Sequence, residues 1–277
     1  MKIYKIKSGI LIESTEKFYL ENSDWDEFVN VDDLFAQTQT LIAAKTPIEN
    51  GWDLIKNELL PPIGSQEIWA SGVTYFNSKL ARQEESKDAG GGDFYARVYV
   101  ANRPELFFKS TAYRAVGSGG KVRIRKDSTW DVPEPELTLL LNSSGTIVGY
   151  TIGNDMSSRS IEGENPLYLP QAKTYDGSAA IGPCLYVSEN PISKETRIEL
   201  TINRNGETVF SGKTEIGQIK RGLNELGSWL FRETSFPHGC FLMTGTGIVP
   251  NTEFSLQKAD EIRITIEPIG TLVNFVE

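Results

Sequence analysis

The sequence predicts a β-rich α+β fold with a small α/β domain at its N-terminus. Short apolar runs separated by Gly, Asn and Pro dominate the chain after residue 105. Only one strong helical pattern, at about 218–232, interrupts those runs. Pro61-Pro62 ends a helix-rich N-terminal part, because proline disfavours the helical conformation in the residue before it. We therefore predict a small domain over residues 1–62 and a larger domain over 63–277.

The first 62 residues contain two strand patterns followed by two helix patterns. The stretches 1–6 and 9–14 are typical of short strands joined around Lys7-Ser8-Gly9. Apolar residues in 31–45 recur at near-helical spacing, and a second helix is predicted over about 50–60. These elements make up the predicted small domain.

The next segment begins with a buried strand at about 68–73. A helix with a charged outer face is predicted over 74–88 and a shorter helix over 93–105, separated by the flexible stretch AGGGD at 89–93. Two interpretations are open. The segment is a lid hinged at its glycines that folds over a site, or it is a surface excursion.

The larger domain is predicted to consist mainly of strands with few helices. Its candidate strands lie at 121–126, 136–141, 146–153, 184–188, 197–205, 207–212, 254–259 and 261–270. The stretch YLPQAKTYDGSAAIGP is predicted to be irregular because it is rich in turn residues.

Composition excludes several classes of function. The net charge of −9 argues against a nucleic-acid partner, since binding a phosphate backbone requires a basic surface. No apolar run approaches the roughly 18 residues of a membrane span, and the N-terminus lacks the apolar block of a signal peptide. We predict a cytoplasmic protein with no membrane partner. Its two cysteines, Cys184 and Cys240, form no CxxC motif and are expected to be reduced and packed, and its one histidine, His238, is interpreted as structural.

Three acidic residues border two apolar runs, which is unusual for charged side chains. Glu134 and Glu136 are two residues apart and share one face of a strand. If Asn142 and Gly145 flank a two-residue turn, Glu134 falls opposite Gly153 and Asp155 lies just beyond, on the same face. The three carboxylates then converge at one end of a hairpin.

Converging carboxylates require a counter-charge. A hard divalent cation such as Mg²⁺, with Mn²⁺ or Ca²⁺ as alternatives, suits ligation by oxygen atoms alone. The alternative is that the PEPE stretch is an exposed strand end that faces solvent. Basic residues nearby favour the metal: Arg159 follows Asp155 by four residues, and Lys173 lies among small and apolar residues. Lys173 and Lys109 could bind a substrate carboxylate or transfer a proton, or could be ordinary strand-end charges.

At these residues the sequence resembles a known family. The motifs EPELTLLLN, GYTIGNDMSSRSIEGENPLYLPQAK, IGPCL and TGTGI resemble the fumarylacetoacetate hydrolase superfamily over about residues 65–277. The resemblance implies a catalytic domain with a mixed β-sandwich roll around one divalent metal, usually Mg²⁺. It also implies that Glu134, Glu136 and Asp155 are the metal ligands. The matching basic residues are Arg159 and Lys173, and Thr246 matches a threonine that contacts substrate.

One departure from the family pattern narrows the predicted activity. Hydrolase members carry a histidine after an Asn-Tyr pair, whereas this chain has Thr74-Tyr75 followed by Ser78 at the histidine position. The long signature around SRSIEGENPLYLPQAK most resembles the branch that dehydrates 2-keto-3-deoxy sugar acids. That resemblance implies a hydro-lyase that converts a substrate such as 2-keto-3-deoxy-D-arabinonate into 2,5-dioxopentanoate through a metal-stabilised enolate. Such chemistry needs no attacking water.

Roles for the remaining residues follow from that chemistry. Lys173 is predicted to take the C3 proton or to orient the base, and Glu162 or Glu105 to protonate the departing C4 hydroxyl. Arg159, Lys109, Thr246, Tyr75 and Arg82 are predicted to contact the substrate.

Two other functions stay open. One is an acylpyruvate hydrolase or oxaloacetate decarboxylase of the same superfamily, and the other is a non-catalytic protein that binds a sugar acid or a metal. The family resemblance also implies a homo-oligomer, either a dimer or a tetramer.

Overall fold

The computed structural model describes residues 1–77 and 92–277, with side chains from residue 96 onward in the second range. Most of the helix predicted over 74–88 lies outside these residues. So do Ser78, Arg82 and most of the 89–93 stretch.

The described chain is rich in strands, which confirms the predicted fold class. The strands are β1 (Lys2–Ile6), β2 (Gly9–Ser14), β3 (Lys17–Glu21), β4 (Glu67–Gly72), β5 (Glu105–Ser110), β6 (Ala115–Val116), β7 (Lys121–Val122), β8 (Asp131–Val132), β9 (Pro135–Leu141), β10 (Ile147–Asp155), β11 (Ser157–Ser158), β12 (Ala179–Tyr186), β13 (Arg197–Arg204), β14 (Glu207–Glu215), β15 (Cys240–Met243), β16 (Glu261–Ile266) and β17 (Gly270–Val276).

The helices are short. They are α1 (Trp25–Val29), α2 (Leu34–Ala43), α3 (Gly51–Glu58), α4 (Gly92–Val100), α5 (Arg159–Glu164), α6 (Leu169–Lys173) and α7 (Leu223–Leu230). The helix predicted over 31–45 begins only at Leu34, because the Asp33 side chain accepts a hydrogen bond from the Ala36 amide and caps the first turn. None of the helices described in the two ranges has both the length and the apolar character needed to cross a membrane.

Two sheets organise the described residues. The larger has the strand order β3-β2-β1-β12-β10-β9-β15-β4-β5, with β6 paired to β12, and the smaller has the order β14-β13-β16-β17-β7. Strands β8 and β11 form a separate pair. Both cysteines are free thiols and buried, as predicted.

Each face of the larger sheet is covered by apolar side chains. One core contains alternate residues of β9, among them Leu137 and Leu139, together with the smaller sheet. The other core contains Leu140 and Phe241 together with α1 and α2. Because side chains alternate along a strand, Glu136 lies on the same face as Leu140 but at the other end of β9. The N-terminal helices therefore cover one end of this face, and the three carboxylates lie at the other end.

The N-terminal strands extend the larger sheet. Strand β1 pairs antiparallel with β12, so residues 1–62 contribute to the same sheet and to both cores. The boundary at residue 62 between a small and a larger domain stays a prediction.

The hairpin that carries the carboxylates has a different turn from the predicted one. Asn142 donates its backbone N–H to Thr146 O at 3.0 Å, so Thr146 and not Gly145 is its partner. A bulge at Val148 adds a second extra residue on β10.

These two irregularities compensate each other. One extra residue would move every following side chain to the opposite face, and a second restores the original faces. Glu136 therefore lies opposite Gly153, where Glu134 was predicted, and Asp155 stays on the predicted face.

Two predictions of local structure were wrong. Residues 254–259 are not a strand: 254–257 are irregular and 258–259 form a turn, in which Ala259 has a positive φ of 68° that breaks extended pairing. The stretch 168–183 is not irregular throughout. Residues 169–173 form α6, because Pro170 lies in the first turn of the helix, where its missing N–H has no intrahelical role, and residues 179–183 belong to β12.

Candidate metal centre

Three buried carboxylates meet where β9 and β10 come together. Glu136 and Asp155 belong to these strands, and Glu134 immediately precedes β9 and accepts the Asp155 N–H on its backbone oxygen at 3.0 Å. One carboxylate oxygen of each residue lies within 4.8 Å of those of the other two. The convergence expected from their spacing is therefore present, although with the shifted register.

The Glu136 side chain is buried beside the other two carboxylates. Burial, and then the charges of Asp155 and Glu134, raise the pKa of its carboxyl well above the usual value. The Gly245 amide donates to Glu136 Oε2 at 2.5 Å and fixes its orientation.

Lys173, at the end of α6, joins two of the carboxylates. Its ammonium lies 2.6 Å from Glu134 Oε2 and 3.0 Å from Asp155 Oδ2, and it donates to Ser157 Oγ at 2.6 Å. The side chain is fully buried. Ser157 was not predicted, although its position two residues after Asp155 was a usable signal.

Helix α5 contributes two more charged groups. Arg159 Nη2 donates to Glu134 Oε1 at 2.6 Å, and its Nε lies 3.8 Å from Glu162 Oε2. Glu162 Oε1 is 3.6 Å from Lys173 Nζ. Positions i and i+3 share one side of a helix, so α5 directs Arg159 and Glu162 into the same cluster.

Lys109 approaches from β5, on the other side of Asp155. Its ammonium lies 2.6 Å from Asp155 Oδ1 and donates to the backbone oxygens of Met156 and Lys173 at 2.8 and 2.5 Å. Two of the three ammonium donors are therefore used by backbone oxygens, and the contact with Asp155 is an ion pair. Burial lowers the pKa of Lys109, and the nearby Asp155 charge opposes that effect.

The cluster suits a divalent cation. Four carboxylates, those of Glu134, Glu136, Asp155 and Glu162, face the three cations Lys109, Arg159 and Lys173, and all seven side chains are buried. One net negative charge therefore remains when every group is ionised. The triad offers only hard oxygen donors, which Mg²⁺, Mn²⁺ and Ca²⁺ prefer.

The 244–247 loop closes one side of the triad. The Thr244 hydroxyl donates to Leu137 O at 2.9 Å, so the loop is held against β9 beside Glu136. Thr246 follows one residue after the amide that contacts Glu136. Its hydroxyl donates to Ile248 O at 3.1 Å.

Tyr75 lies beneath this loop. A methyl group on Gly247 would lie 2.5 Å from the Tyr75 ring, so the ring packs directly against the glycine backbone. Burial, and then the charge of Glu136, raise the pKa of the Tyr75 hydroxyl.

Glu105 lies on the site face of the sheet but at its margin. It lies four residues and about 13 Å along β5 from Lys109, which is the extra residue of an irregularity in that strand. It lies opposite Gly72 of β4. Arg82 is outside the described residues.

His238 is exposed and remote from the carboxylates. It precedes β15 by two residues, and Cys240 of that strand pairs with Leu141. Leu141 is five residues along β9 from Glu136, a distance of about 17 Å. The histidine is therefore not part of the metal centre.

Comparison with known proteins places the chain in a family. Residues 68–277 match the family model described as fumarylacetoacetate (FAA) hydrolase C-terminal. A probable 2-keto-3-deoxyxylonate dehydratase of Haloferax volcanii is 50% identical over 216 residues, which cover 78% of this chain and 73% of the relative. A 2-dehydro-3-deoxy-D-arabinonate dehydratase of Saccharolobus solfataricus is 43% identical over 223 residues, with the same two coverages.

A solved structure gives a further comparison. It is that of 2-keto-3-deoxy-D-arabinonate dehydratase complexed with magnesium and 2,5-dioxopentanoate. Its TM-score to this chain is 0.85 at 33% sequence identity, and the match covers 100% of this chain and 99% of the other. The resemblance expected from the motifs is confirmed.

Proposed function

We propose that the chain, which belongs to the fumarylacetoacetate hydrolase family, is a Mg²⁺-dependent dehydratase of 2-keto-3-deoxy sugar acids. The observation that carries the proposal is the buried carboxylate triad with Lys173 between Glu134 and Asp155. The preferred substrate is 2-keto-3-deoxy-D-arabinonate and the product is 2,5-dioxopentanoate. The names of the dehydratase relatives support this choice.

Glu134, Glu136 and Asp155 would hold the metal ion. Bound Mg²⁺ would polarise the C2 carbonyl of a 2-keto acid and make its C3 protons more acidic. Mn²⁺ or Ca²⁺ could occupy the same oxygen ligands. Gly245, through its amide, keeps Glu136 directed at the centre.

Lys173 is the proposed base for the C3 proton. Its nitrogen must be neutral when it acts, and a divalent cation in the triad disfavours a second positive charge beside it. A proton taken up by Lys173 has acceptors close by, since Ser157 Oγ is 2.6 Å and Glu162 Oε1 is 3.6 Å away.

Glu162 is the better placed of the two candidate acids for the departing C4 hydroxyl. It is buried and lies within the charged cluster, whereas Glu105 lies at the margin of the same sheet face. Protonation by Glu162 would release the hydroxyl as water. Glu162 would regain its proton from Lys173, which took one from C3 and whose ammonium lies 3.6 Å from Glu162 Oε1. The substrate thus loses one hydrogen and one hydroxyl, the elements of water. The resulting 5-hydroxy-2-oxo-3-enoate then tautomerises through its C5 hydroxyl to 2,5-dioxopentanoate.

The remaining residues have binding or supporting roles. Thr246 and Tyr75 line the side of the triad near Glu136 and are the proposed contacts for the substrate carboxylate and hydroxyls. Arg82 is retained as a candidate for the hydroxyls. Arg159 and Lys109 bind Glu134 and Asp155 directly, and we assign them to orienting these two carboxylates.

Hydrolysis by a histidine–glutamate dyad is disfavoured. The sequence has a single histidine, and His238 lies on the surface beyond the far end of β9. Dehydration needs no such dyad, because no water attacks the substrate.

The cellular setting stays a prediction. A cytoplasmic location and a dimer or tetramer are expected from the sequence and the family. The partner is a small 2-keto acid and not a nucleic acid.

The test is a direct assay of the purified protein. It is incubated with 2-keto-3-deoxy-D-arabinonate and Mg²⁺, and again with EDTA, and 2,5-dioxopentanoate is measured. Metal-dependent product is expected. If no product forms while magnetic-resonance or calorimetric titration shows the metal bound, the dehydratase proposal fails, and oxaloacetate and acylpyruvates become the next substrates to assay.

A further inference from the structure

Arg221, in the loop before α7, makes an unusual number of contacts to one short piece of backbone. Its side chain is buried at 9% exposure, and its guanidinium also forms an ion pair with Glu225 at 2.8 Å. It donates to four backbone oxygens, those of Val98 at 3.2 Å, Ala101 at 2.6 Å, Asn102 at 3.0 Å and Arg103 at 3.4 Å. These oxygens lie at the C-terminus of α4 and in the turn that follows it. Carbonyls at a helix C-terminus lack intrahelical donors, and a cation there is favourable.

The neighbouring Lys220 contacts both the end of α4 and a second segment, the one that follows β4. Its backbone N–H donates to Thr74 O at 3.0 Å, just after β4 ends. Its ammonium donates to Tyr99 O and lies 4.3 Å from the centre of the Tyr99 ring. The dipeptide Lys220-Arg221, which we call the clasp, therefore binds both the chain that leaves β4 and the chain that returns to β5.

The chain leaving β4 is held in a strained conformation. Val73 has a φ of 55°, in the left-handed region that β-branched residues rarely adopt. Such strain persists only where the surroundings hold it, and it is concentrated at functional sites. Here Thr74 is held from two sides, by Lys220 and by its own hydroxyl, which donates to Thr244 O at 2.7 Å.

The two held segments lead directly to the substrate side of the metal centre. Tyr75 follows Thr74, and Glu105 follows Arg103 by two residues. Glu105 lies opposite Gly72 in the pairing of β4 with β5. The clasp therefore holds the segments that carry the side chains of Tyr75 and Glu105. The triad is carried by β9 and β10. None of the hydrogen bonds of Lys220 and Arg221 described above reaches these two strands.

We infer that Arg221 is a positioning residue for substrate binding, which acts by fixing Tyr75 and the β5 entry at Glu105. The inference rests on the proposed function, because it assumes that the substrate lies between these side chains and the metal. The inference predicts different effects on the affinity for substrate and on the affinity for the metal. Arg221 should affect affinity for the sugar acid and leave affinity for Mg²⁺ unchanged.

The experiment compares Arg221→Ala and Arg221→Lys with wild type. Arg263→Ala serves as a matched control, since it removes one positive charge from an exposed arginine of the smaller sheet. Three quantities are measured: amide hydrogen exchange of residues 96–105, KM and kcat for 2-keto-3-deoxy-D-arabinonate at saturating Mg²⁺, and the Kd of Mg²⁺ by calorimetry. Arg221→Lys retains the charge but cannot direct donors at four oxygens, so it should be intermediate.

For Arg221→Ala we expect exchange of residues 96–105 to accelerate at least roughly tenfold and KM to rise roughly tenfold, since small misplacements of binding groups are costly. The Kd of Mg²⁺ should stay within about twofold of wild type, and Arg263→Ala should match wild type throughout.

Three results would overturn the inference. A wild-type KM in Arg221→Ala despite faster exchange would mean that the clasp is only structural. A parallel loss of Mg²⁺ affinity would mean that the whole site is disturbed. If Arg221→Ala does not fold, an unchanged KM in Arg221→Lys decides against the inference. Failure of the proposed function itself is distinguishable, because wild type would then form no product.

Discussion

Replacing Glu136 by glutamine should make the metal-free protein more stable while it destroys metal binding. Glutamine has the same shape and can still accept the Gly245 amide. It removes one negative charge from a buried group of three. The two effects have opposite signs, which makes the substitution informative.

The size of the stabilisation follows from the geometry. Two carboxylate oxygens of the triad lie within 4.8 Å of each other, so they repel each other by at least about 3.5 kcal/mol at an effective dielectric constant of about 20. Glu136 has two such neighbours, Glu134 and Asp155, but its attraction to Lys173 is also lost and proton uptake already relieves part of the repulsion. We therefore expect a net gain of about 1–2 kcal/mol in the free energy of unfolding without metal, and a rise in Tm of about 2–4 °C per kcal/mol.

Thermal melts with EDTA and with Mg²⁺ measure both effects. Wild type should gain about 2.7 kcal/mol at a Mg²⁺ concentration of 100 times its Kd, and Glu136→Gln should gain almost nothing. Glu199→Gln, an exposed glutamate of β13, is the control and should behave as wild type. Full activity or an undiminished Mg²⁺-dependent Tm shift in Glu136→Gln would refute the assignment of Glu136 as a ligand.

Three further substitutions test other parts of the site. Lys173→Met should retain Mg²⁺ affinity within about tenfold but lower kcat by roughly 10²–10⁴, and a near-normal kcat in single-turnover assays would remove Lys173 from the mechanism. Asp131→Asn addresses a buried carboxyl whose pKa is raised to about 6 by burial. A raised pKa means that stability present at low pH is lost as the pH rises through 6. In urea unfolding, Asp131→Asn should therefore be about 1–2 kcal/mol more stable than wild type at pH 8 but hardly more stable at pH 4. The same difference in stability at both pH values would contradict this. Gly153→Ala would place a methyl group 2.3 Å from Thr138 Oγ1 and should cost about 1–3 kcal/mol of stability, which Thr138→Ala in the same chain should largely restore in denaturant melts.

The sequence was sufficient to predict the triad because its signal is local. The spacing of Glu134 and Glu136 fixes their common face, and a single hairpin brings Asp155 to them. The predicted register was off by two residues, since neither the longer turn after Asn142 nor the bulge at Val148 has a clear sequence signature. The prediction of convergence held because the two errors preserve the alternation of faces.

Contacts between distant segments were harder to predict. Lys109 was singled out, but its ammonium donates to the Lys173 backbone 64 residues away, a contact that no spacing rule indicates. Arg221 was not singled out at all. An arginine before a helix is common, and its role depends on where β5 returns after a long connection. Residues 254–259 have a strand-like composition, yet they pair with no strand: 254–257 are irregular and 258–259 form a turn.

The charges of the cluster connect the metal to the proposed substrate. Four buried carboxylates and three buried cations leave one negative charge, and the total is the same when Lys173 is neutral and Glu162 is protonated, as the proposed mechanism requires. A divalent cation would change this to one positive charge. A substrate with a single carboxylate then makes the buried site neutral, which is the least costly state in a medium of low dielectric. A 2-keto-3-deoxy sugar acid carries one carboxylate, whereas oxaloacetate carries two and would leave the centre negative again. Arg159 and Lys109, which contact Glu134 and Asp155, would offset part of the negative charge of the triad before a metal ion binds. With the metal ion bound, the site would carry one positive charge for the substrate.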